Sequence, residues 1–267
     1  MTRARLDAEL VRRGLARSRE HAAELVAAGQ VSVPGKATVK AATQVERGEP
    51  IQVAQPTGAQ YVSRGGHKLA GALDVFQPAG LVVEGRRCLD AGASTGGFTD
   101  VLLRRGAGQV VCVDVGYGQL AWSVRTDDRV EVRDRTNVRS LEEAPLDPPV
   151  QLVVGDLSFI SLRLVLPALV RCAEPDGDFV LMVKPQFEVG KERLGSGGVV
   201  RDPAPRAAAV GEVAASAYDV HGLGVLGVTA SPLPGPMGNV EYFLWLRRGA
   251  APLDAGQLQQ AVEEGPG

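Results

Sequence analysis

The chain has 267 residues, of which 45% are hydrophobic and 22% are charged, so its composition is that of a globular protein and excludes wholesale disorder. This length suits one ordinary domain with an appendage, or two modest domains. Three cysteines, none in a CxxC pair, predict neither a disulfide framework nor a zinc site. Residues 1–20 lack the apolar core of a secretory signal, and no membrane-length apolar run follows. We therefore expect a cytoplasmic protein without a membrane or metal partner.

Charge is distributed unevenly along the chain. The first 68 residues carry 11 Lys and Arg against 6 Asp and Glu, whereas the remaining residues carry 18 against 25. A basic arm before an acidic body is typical of proteins that contact nucleic acid through the arm. A solvated helix face gives the same counts and stays as the alternative at this point.

The first sixty residues predict a small α/β unit. Leu6 and Leu10 keep helical spacing up to Gly14, a second helix begins after Ser18, and short strands follow near residues 31–33 and 51–53. Residues 5–33, RLDAELVRRGLARSREHAAELVAAGQVSV, resemble the S4 RNA-binding domain. That resemblance implies that basic side chains on the two helices face an RNA backbone, although a helix pair that binds protein is an alternative. The candidate RNA-binding residues are Arg3, Arg5, Arg12, Arg17 and Arg19, with Arg64 at the start of the next domain.

The rest of the chain predicts a doubly wound α/β sheet. An amphipathic helix over 64–76 is followed by seven apolar strands with helical or loop segments between them. The predicted strands are 86–92, 109–115, 129–134, 150–156, 177–185, 223–231 and 241–248, and the last two would pair antiparallel at one edge. This plan resembles the Rossmann-like, seven-stranded sheet of class I methyltransferases. We expect an S4-like domain in 1–60, a linker over about 54–64, a methyltransferase domain in 64–250 and a flexible tail in 251–267.

A glycine-rich turn, DAGASTGGF, follows the first of these strands at residues 90–98. It has neither the GxGxxG spacing of a dinucleotide site nor the GK[ST] ending of a phosphate loop. It resembles the S-adenosylmethionine motif, in which an acidic residue and the glycine-rich backbone hold the methionine end of the cofactor. Asp114, at the tip of the second strand, can accept ribose hydroxyls, although NAD or NADP sites also use such an acid. The candidate cofactor residues are Asp90, Gly92, Ser94, Thr95, Gly96, Gly97, Phe98 and Asp114, with Asp134 and Asn137 on the adenine side.

The tip of the fourth strand carries Asp156 but lacks the [DN]PP[YF] tetrad typical of amino-group methylation in nucleic acids. The three cysteines lie in or beside apolar segments, where they predict buried small hydrophobic residues rather than nucleophiles. Charged residues instead interrupt apolar stretches at Lys68, Asp156, Lys184 and Glu241. Their order and placement resemble those of the FtsJ-like ribose 2′-O-methyltransferases, which implies that these four residues are catalytic. A salt bridge at a sheet edge and a helix-surface charge are the alternatives for Glu241 and Lys68.

A ribose hydroxyl must be oriented and must lose its proton during an in-line displacement. Burial and a neighbouring cation both lower the pKa of a lysine from its usual value of about 10.4, whereas an arginine stays charged. Lys184 is therefore the candidate base, with Lys68 as the neighbouring cation. Lys68 and Asp156 would position the hydroxyl, while Asp156 and Glu241 would hold the two ammonium groups.

An S4-like head joined to an FtsJ-like body closely resembles the TlyA family, whose older name is hemolysin A. The most specific matching segments are SRGGHKL (63–69), DAGASTGGFTD (90–100), GDLSFISL (155–162) and MVKPQFEVGK (182–191). The resemblance covers residues 3–248. It implies methylation of a cytidine 2′-hydroxyl in 16S or 23S ribosomal RNA, with S-adenosylmethionine as cofactor and ribosomal RNA or subunits as partners.

One segment departs from the pattern of that family. Ala59-Gln60-Tyr61-Val62 replaces an Arg/Trp-containing linker found in some members, which puts any role of this segment in coupling the domains in doubt. Three other functions stay open: a membrane-active hemolysin, a nonenzymatic S4 ribosome-binding factor and a Rossmann-like oxidoreductase. The absence of a membrane-length apolar segment, and of an amphipathic segment other than the helix predicted over 64–76, argues against the first. The glycine-rich turn and the four charged residues argue against the second.

Overall fold

A computed structural model describes residues 3–16, 18–27, 30–36, 39–53, 60–190, 194 and 196–265. The chain divides into two compact units, Met1–Gln60 and Tyr61–Gly267. Each unit buries apolar side chains of its own: one cluster lies within the first unit and two large clusters lie within the second.

Within its described residues, the first unit contains two helices and four short strands. They are β1 (Arg3–Arg5), α1 (Leu6–Arg12), α2 (Arg19–Ala27), β2 (Val31–Ser32), β3 (Gln44–Glu46) and β4 (Gln52–Val53). The Ser18 hydroxyl accepts the N–H of His21 at 3.1 Å, which confirms the predicted start of α2. Antiparallel pairs form between β1 and β3 and between β2 and β4. The first pair is not predicted from the sequence, because β1 and β3 each contribute a single apolar residue to the pattern.

The second unit is built on one seven-stranded sheet, as the sequence predicts. Its strands are β5 (Arg87–Ala91), β6 (Gln109–Val113), β7 (Val130–Arg133), β8 (Val150–Gly155), β9 (Ala173–Val183), β10 (Leu223–Ala230) and β11 (Tyr242–Arg248). They are ordered β10-β11-β9-β8-β5-β6-β7. Strands β5 to β9 are parallel, and β11 is antiparallel to both of its neighbours. The predicted antiparallel pairing of the last two strands is confirmed, but only β10 lies at the edge, because β11 is inserted between β10 and β9.

Helices cover both faces of this sheet. They are α3 (Arg64–Phe76), α4 (Gly97–Arg104), α5 (Trp122–Arg125), α6 (Leu166–Cys172), α7 (Pro185–Glu188), α8 (Pro203–His221) and α9 (Ala255–Glu263). Apolar side chains of α3, α4 and α5 pack on one face, and those of α6, α8 and α9 pack on the other. The central strands are therefore buried on both sides, which explains their nearly continuous apolar sequences. The carboxyl ends of the parallel strands meet at one edge of the sheet, where ligands bind in doubly wound folds.

The C-terminal segment differs from the predicted flexible tail. Residues 255–263 form α9, whose N-terminus is capped by Asp254 through a 2.9 Å hydrogen bond from the N–H of Gln257. Ala261 and Val262 are buried, and the helix packs against α8 and β10. The prediction fails because this helix presents only a few small apolar residues, so its sequence resembles that of a solvated tail.

The predicted linker is only partly described by the structure, since residues 54–59 lie outside the described residues. Its C-terminal end belongs to the second unit. The N–H of Val62 donates to the Asp100 carboxylate on α4 at 2.9 Å, and the Tyr61 ring lies edge-on to His67 at 5.0 Å between centroids.

Far from the carboxyl ends of the strands, a buried carboxylate joins two strands of the sheet and the segment that precedes a third. Asp178 on β9 accepts hydrogen bonds from Arg86 (2.6 Å), from Arg247 (2.8 and 2.9 Å) and from the Trp245 indole (2.7 Å). Burial by itself would raise the pKa of Asp178, but the hydrogen bonds from Arg247, Arg86 and Trp245 outweigh it and lower that pKa. The carboxylate thereby ties the segment before β5 to β9 and β11.

Candidate active site

The glycine-rich turn after β5 is attached to the end of β6. The N–H of Gly92 donates to the carbonyl of Val113 at 2.9 Å, and the N–H of Ser94 donates to Asp114 Oδ2 at 2.8 Å. Gly92 has φ +85°, and a Cβ there would lie 2.9 Å from the backbone oxygen of Asp156. Only glycine fits this position, and its close approach joins the tips of β5 and β8.

The first turn of α3 packs against the same glycine-rich segment. A Cβ on Gly97 would lie 2.8 Å from the backbone nitrogen of Gly66 and would also overlap the Ser63 hydroxyl. Two of the segments that carry the sequence resemblance, SRGGHKL and DAGASTGGFTD, are thus in backbone contact. Their glycines permit this contact.

Asp90 lies at the base of the turn with its carboxyl group fully buried. Its Oδ2 accepts the Thr99 hydroxyl at 2.6 Å, whereas Oδ1 has no hydrogen-bond partner among the described residues. Burial raises the pKa of Asp90 to about 7; the Thr99 hydroxyl opposes this rise and the nearby charge of Asp156 adds to it. A buried acceptor without a partner is costly, so a cationic hydrogen-bond donor placed at Oδ1 would relieve that cost. The residues present therefore fit S-adenosylmethionine, which carries an ammonium group at its methionine end.

Asp114, the predicted ribose ligand, stands half-buried at the end of β6. Its two oxygens accept the N–H groups of Ser94 (2.8 Å) and Gly116 (2.7 Å), which fix the carboxylate but leave further lone pairs for hydroxyl donors. Phe98 differs from the expectation, because its side chain is buried 6.0 Å from the ring of Phe243. The Phe98 ring therefore belongs to the core rather than to a cofactor surface.

The other predicted cofactor residues lie along the same edge of the sheet. Gly96, with φ +91°, caps α4, and the carbonyl of Thr95 accepts the N–H of Ala121 at 3.0 Å. Asp134, at the end of β7, accepts Arg125 Nη1 at 3.0 Å and the N–H of Gly118 at 3.2 Å.

Asn137 is exposed and caps a short 3-10 turn by accepting the N–H of Arg139 at 3.0 Å. Its side-chain oxygen and the Asp134 carboxylate thus each have protein partners already. A role for either residue beside an adenine stays a prediction.

The four predicted catalytic residues form two ion pairs at the carboxyl ends of the strands. Lys184 Nζ lies 2.6 Å from Asp156 Oδ1, and Lys68 Nζ lies 2.5 Å from Glu241 Oε2. The lysine side chains are only 9% and 8% exposed, respectively. Tyr242 on β11 pairs with Val183 on β9, so the adjacent residues Glu241 and Lys184 lie side by side at the edge of the sheet. The two carboxylates hold the two ammonium groups, as expected.

The two lysines differ in their surroundings. Lys184 Nζ also donates to the Ser158 hydroxyl at 2.7 Å, so two partners from the loop after β8 fix its position. Lys68 projects from α3 and is held by Glu241 from β11. Buried charges are tolerated when they are paired in this way. Two lysine side chains, each paired with a carboxylate, therefore lie at this edge of the sheet.

Three further residues of this region are absent from the sequence prediction. Ser158 contacts Lys184 as described above. Phe159 has φ +63°, its side chain is 91% exposed, and its ring lies 5.2 Å from that of Phe187. A large apolar side chain held in the left-handed region and exposed to solvent is unusual, and such outliers cluster at functional sites.

The third residue, Glu188, organises the loop that carries Ser158 and Phe159. Its buried carboxylate accepts the Ser161 hydroxyl at 2.6 Å and the N–H of Leu162 at 2.7 Å, and burial raises its pKa. All three residues lie within the segments GDLSFISL and MVKPQFEVGK. The sequence therefore marked the two segments that contain these residues, although it did not indicate which side chains they contact.

The predicted RNA-binding arginines are exposed wherever the structure describes them. These are Arg3, Arg5, Arg12 and Arg19 in the first unit and Arg64 in the second. Arg17 lies outside the described residues. Arg64 Nη2 donates to the carbonyl of Pro234 at 3.4 Å, on the loop that leads to Glu241.

The three cysteines are buried, as predicted. Burial raises the pKa of Cys88 to about 12, so this thiol is not an activated nucleophile. Among the described residues, no group of three or more His, Cys, Asp or Glu side chains is placed to hold a metal ion. No helix in the described part of the chain is long and apolar enough to cross a membrane.

The strand order, with its last strand inserted antiparallel, and the glycine-rich turn at the tip of β5 define a class I methyltransferase. A family model for FtsJ-like methyltransferases matches residues 61–248, and a model for the S4 domain matches residues 4–51. By these matches and those that follow, the chain belongs to the TlyA family of FtsJ-like methyltransferases.

Relatives cover almost the whole chain. The 16S/23S rRNA (cytidine-2′-O)-methyltransferase TlyA of Mycobacterium tuberculosis is 58% identical over 269 residues, which is 99% of each chain. Hemolysin A of Brachyspira hyodysenteriae is 35% identical over 89% of this chain and 97% of its own. A solved structure from Streptococcus thermophilus that also carries a hemolysin name has a TM-score of 0.77 at 37% identity, covering 99% of this chain and 96% of its own. Hemolysin-named and methyltransferase-named relatives thus both match this chain over most of their length, and the hemolysin name is a historical label.

Proposed function

We propose that this chain transfers a methyl group from S-adenosylmethionine to the 2′-hydroxyl of a cytidine in 16S or 23S ribosomal RNA. The observation that carries the proposal is the pair of buried lysine–carboxylate contacts, Lys184–Asp156 and Lys68–Glu241, beside the glycine-rich turn. The S4 unit supports an RNA substrate, and the name of the Mycobacterium tuberculosis relative supports the choice of cytidine and of ribosomal RNA. Action on ribosomal RNA would place the protein in the cytoplasm.

The cofactor would occupy the crevice at the carboxyl ends of β5 and β6. When bound, S-adenosylmethionine supplies a methyl group already activated by its sulfonium centre. Asp90 and the backbone of residues 92–97 would hold the methionine end, and Asp114 would accept the ribose hydroxyls.

Lys184 would first release its own proton to solvent and then, as a neutral amine, act as the base that receives the proton of the 2′-hydroxyl at its Nζ. Asp156 and Ser158 fix the position of that nitrogen, and this alignment removes much of the entropic cost of a bimolecular encounter. Lys68, held by Glu241, would orient the hydroxyl through its positive charge. The chain's contribution is thus orientation and proton removal, because the methyl donor needs no further activation.

Phe159 offers a surface for the nucleobase that accompanies the reacting ribose. RNA-modifying sites commonly stack unpaired bases on aromatic side chains. The ring is exposed, is braced by Phe187 and directly follows Ser158, the partner of Lys184. Its strained backbone is consistent with a fixed position beside the reacting group.

Methylation of purified ribosomal subunits tests the proposal. Subunits from cells that lack the modification would be incubated with the full chain and isotopically labelled S-adenosylmethionine, and the RNA digested to nucleosides for mass spectrometry. We expect label in 2′-O-methylcytidine and none with Lys184→Ala. Label on a base would contradict the proposed chemistry. Binding of subunits without any transfer of label would instead favour a nonenzymatic ribosome-binding factor.

A further inference from the structure

Two carboxylates are buried in the first turn of α1, although the first unit that contains them is rich in arginine. The side chains of Asp7 and Glu9 are 6% and 1% exposed. Such burial is unusual for acids unless they are paired. Each of these carboxylates is paired with two arginines.

Asp7 connects the start of α1 to α2. Arg5 donates to both of its oxygens, with Nε 3.1 Å from Oδ1 and Nη2 2.8 Å from Oδ2. Arg19, the first residue of α2, donates through Nη2 to Oδ2 at 3.1 Å. One buried acid therefore sets the positions of two exposed guanidinium groups that are far apart in sequence.

Glu9 holds a second pair of arginines. Arg12 forms a bidentate contact, with Nη2 2.6 Å from Oε1 and Nε 2.7 Å from Oε2, while Arg13 Nε lies 2.8 Å from Oε1. Arg13 also donates to the backbone carbonyls of Arg47 and Glu49, both at 2.8 Å, so its guanidinium donors are used within the first unit. Arg12 is half exposed and remains available to a ligand.

Both acids are ionised at neutral pH. The hydrogen bond from Arg5, which outweighs the effect of burial, lowers the pKa of Asp7 to about 2, and the hydrogen bond from Arg12 does the same for Glu9. A guanidinium has five N–H donors, so an arginine that gives one or two of them to a carboxylate can still donate to a phosphate.

We propose that Asp7 and Glu9 are positioning residues for RNA, because they hold Arg5, Arg19 and Arg12 in the orientation in which these side chains meet phosphate groups. The inference rests on the proposed function, since it requires an RNA substrate. Ordering a long side chain is unfavourable on binding, and here that ordering is complete before the RNA arrives.

Net charge alone predicts the opposite change in RNA affinity. Replacing an acid by its amide removes one negative charge from the first unit, and long-range attraction alone would then tighten RNA binding. If orientation dominates, the same substitution weakens binding. The direction of the change therefore separates the two effects.

The test measures the Kd of the full-length chain for ribosomal subunits after Asp7→Asn or Glu9→Gln. We expect Kd to rise about fivefold to tenfold in each case, because freed arginines must be ordered on binding. Glu20→Gln is the matched control: Glu20 is exposed on α2 and forms no ion pair within the described residues, so Kd should stay equal or fall slightly. An unchanged or lower Kd for Asp7→Asn overturns the inference.

A double-mutant cycle excludes a general structural effect. In an Arg5→Ala, Arg19→Ala background, Asp7→Asn should cause no further loss of RNA affinity if the acid acts through those arginines. A full additional loss would assign Asp7 to the stability of the unit and overturn the inference. Failure of the wild-type chain to methylate ribosomal RNA would instead count against the proposed function and leave these Kd comparisons intact.

Discussion

The two buried lysines can be distinguished by substitution with arginine. Arginine keeps the positive charge and much of the length but cannot release its proton at working pH. If Lys184 is the base, Lys184→Arg should abolish turnover, while Lys68→Arg should retain a measurable rate because only a fixed charge is required there. Single-turnover methylation of ribosomal subunits measures both variants.

Binding measurements serve as the control for this comparison. Both variants should bind S-adenosylmethionine and ribosomal subunits about as well as the wild type, since the Gly-rich turn and the arginines of the first unit are unchanged. Equal residual rates for arginine at the two positions would contradict the assignment of the base to Lys184.

The raised pKa of Asp90 predicts that cofactor binding depends on pH. Its pKa is raised to about 7, so below that pH the free enzyme carries a neutral carboxyl group, which must lose a proton to hold an ammonium group. We expect Kd for S-adenosylmethionine to rise as pH falls from about 8 to 6, approaching tenfold per pH unit below the pKa. Isothermal titration calorimetry in buffers of different ionisation enthalpy would also detect the released proton.

Asp90→Asn provides the control for the pH series. The amide should bind the cofactor more weakly than the carboxylate at pH 8, with an affinity that does not change between pH 6 and 8. A wild-type Kd that is flat across this range would mean that Asp90 does not receive the cationic end of the cofactor.

At the scale of helices and strands, the sequence predicts well those elements that are buried on both faces. The central strands β6 and β8 are almost entirely apolar. Lys184 and Asp156 lie close together because each directly follows one of two paired parallel strands. Helix α9 is not predictable in this way, since its stability depends on contacts with α8 and β10 rather than on its own pattern. The partners of Glu188 are likewise unpredictable, because they come from a loop 26 and 27 residues earlier in the chain.

The network around Asp178 predicts a stability effect that is separate from catalysis. Asp178→Asn replaces an oxygen that accepts guanidinium donors with an amide N–H₂ group, so it should lower the free energy of unfolding by about 3 kcal/mol. This value is at the low end for a buried ion pair, because Arg247 is 36% exposed. Asp178 precedes Lys184 by about 20 Å along β9, so cofactor affinity should not change.

Urea unfolding and cofactor titration test this prediction together. Asp176→Asn, an exposed carboxylate on the same strand, is the matched control and should alter stability by less than about 0.5 kcal/mol. Weaker cofactor binding by the folded Asp178→Asn variant would show that the two ends of the sheet are coupled.

For the whole molecule, charge separates the two tasks of the chain. The first 68 residues carry 11 basic against 6 acidic side chains, whereas residues 69–267 carry 18 against 25 and have a net negative charge. Non-specific attraction to RNA phosphates should therefore come mainly from the first unit, whereas the cofactor crevice depends on buried contacts that salt screens only weakly.

Salt dependence tests this division of labour. Between 50 and 200 mM salt, the KM for ribosomal subunits should rise steeply, while the single-turnover rate at saturating RNA and the Kd for S-adenosylmethionine change little.

Replacing Arg5 and Arg19 by alanine should reduce the magnitude of the slope of log KM against log salt concentration by about 1.5, since each phosphate contact contributes about 0.7 to 0.9. Arg171→Ala removes an exposed charge from α6 in the second unit and should leave the slope unchanged. If Arg171→Ala reduced the slope as much per charge as the Arg5 and Arg19 substitutions, RNA attraction would depend on net charge rather than on the arginines of the S4 unit.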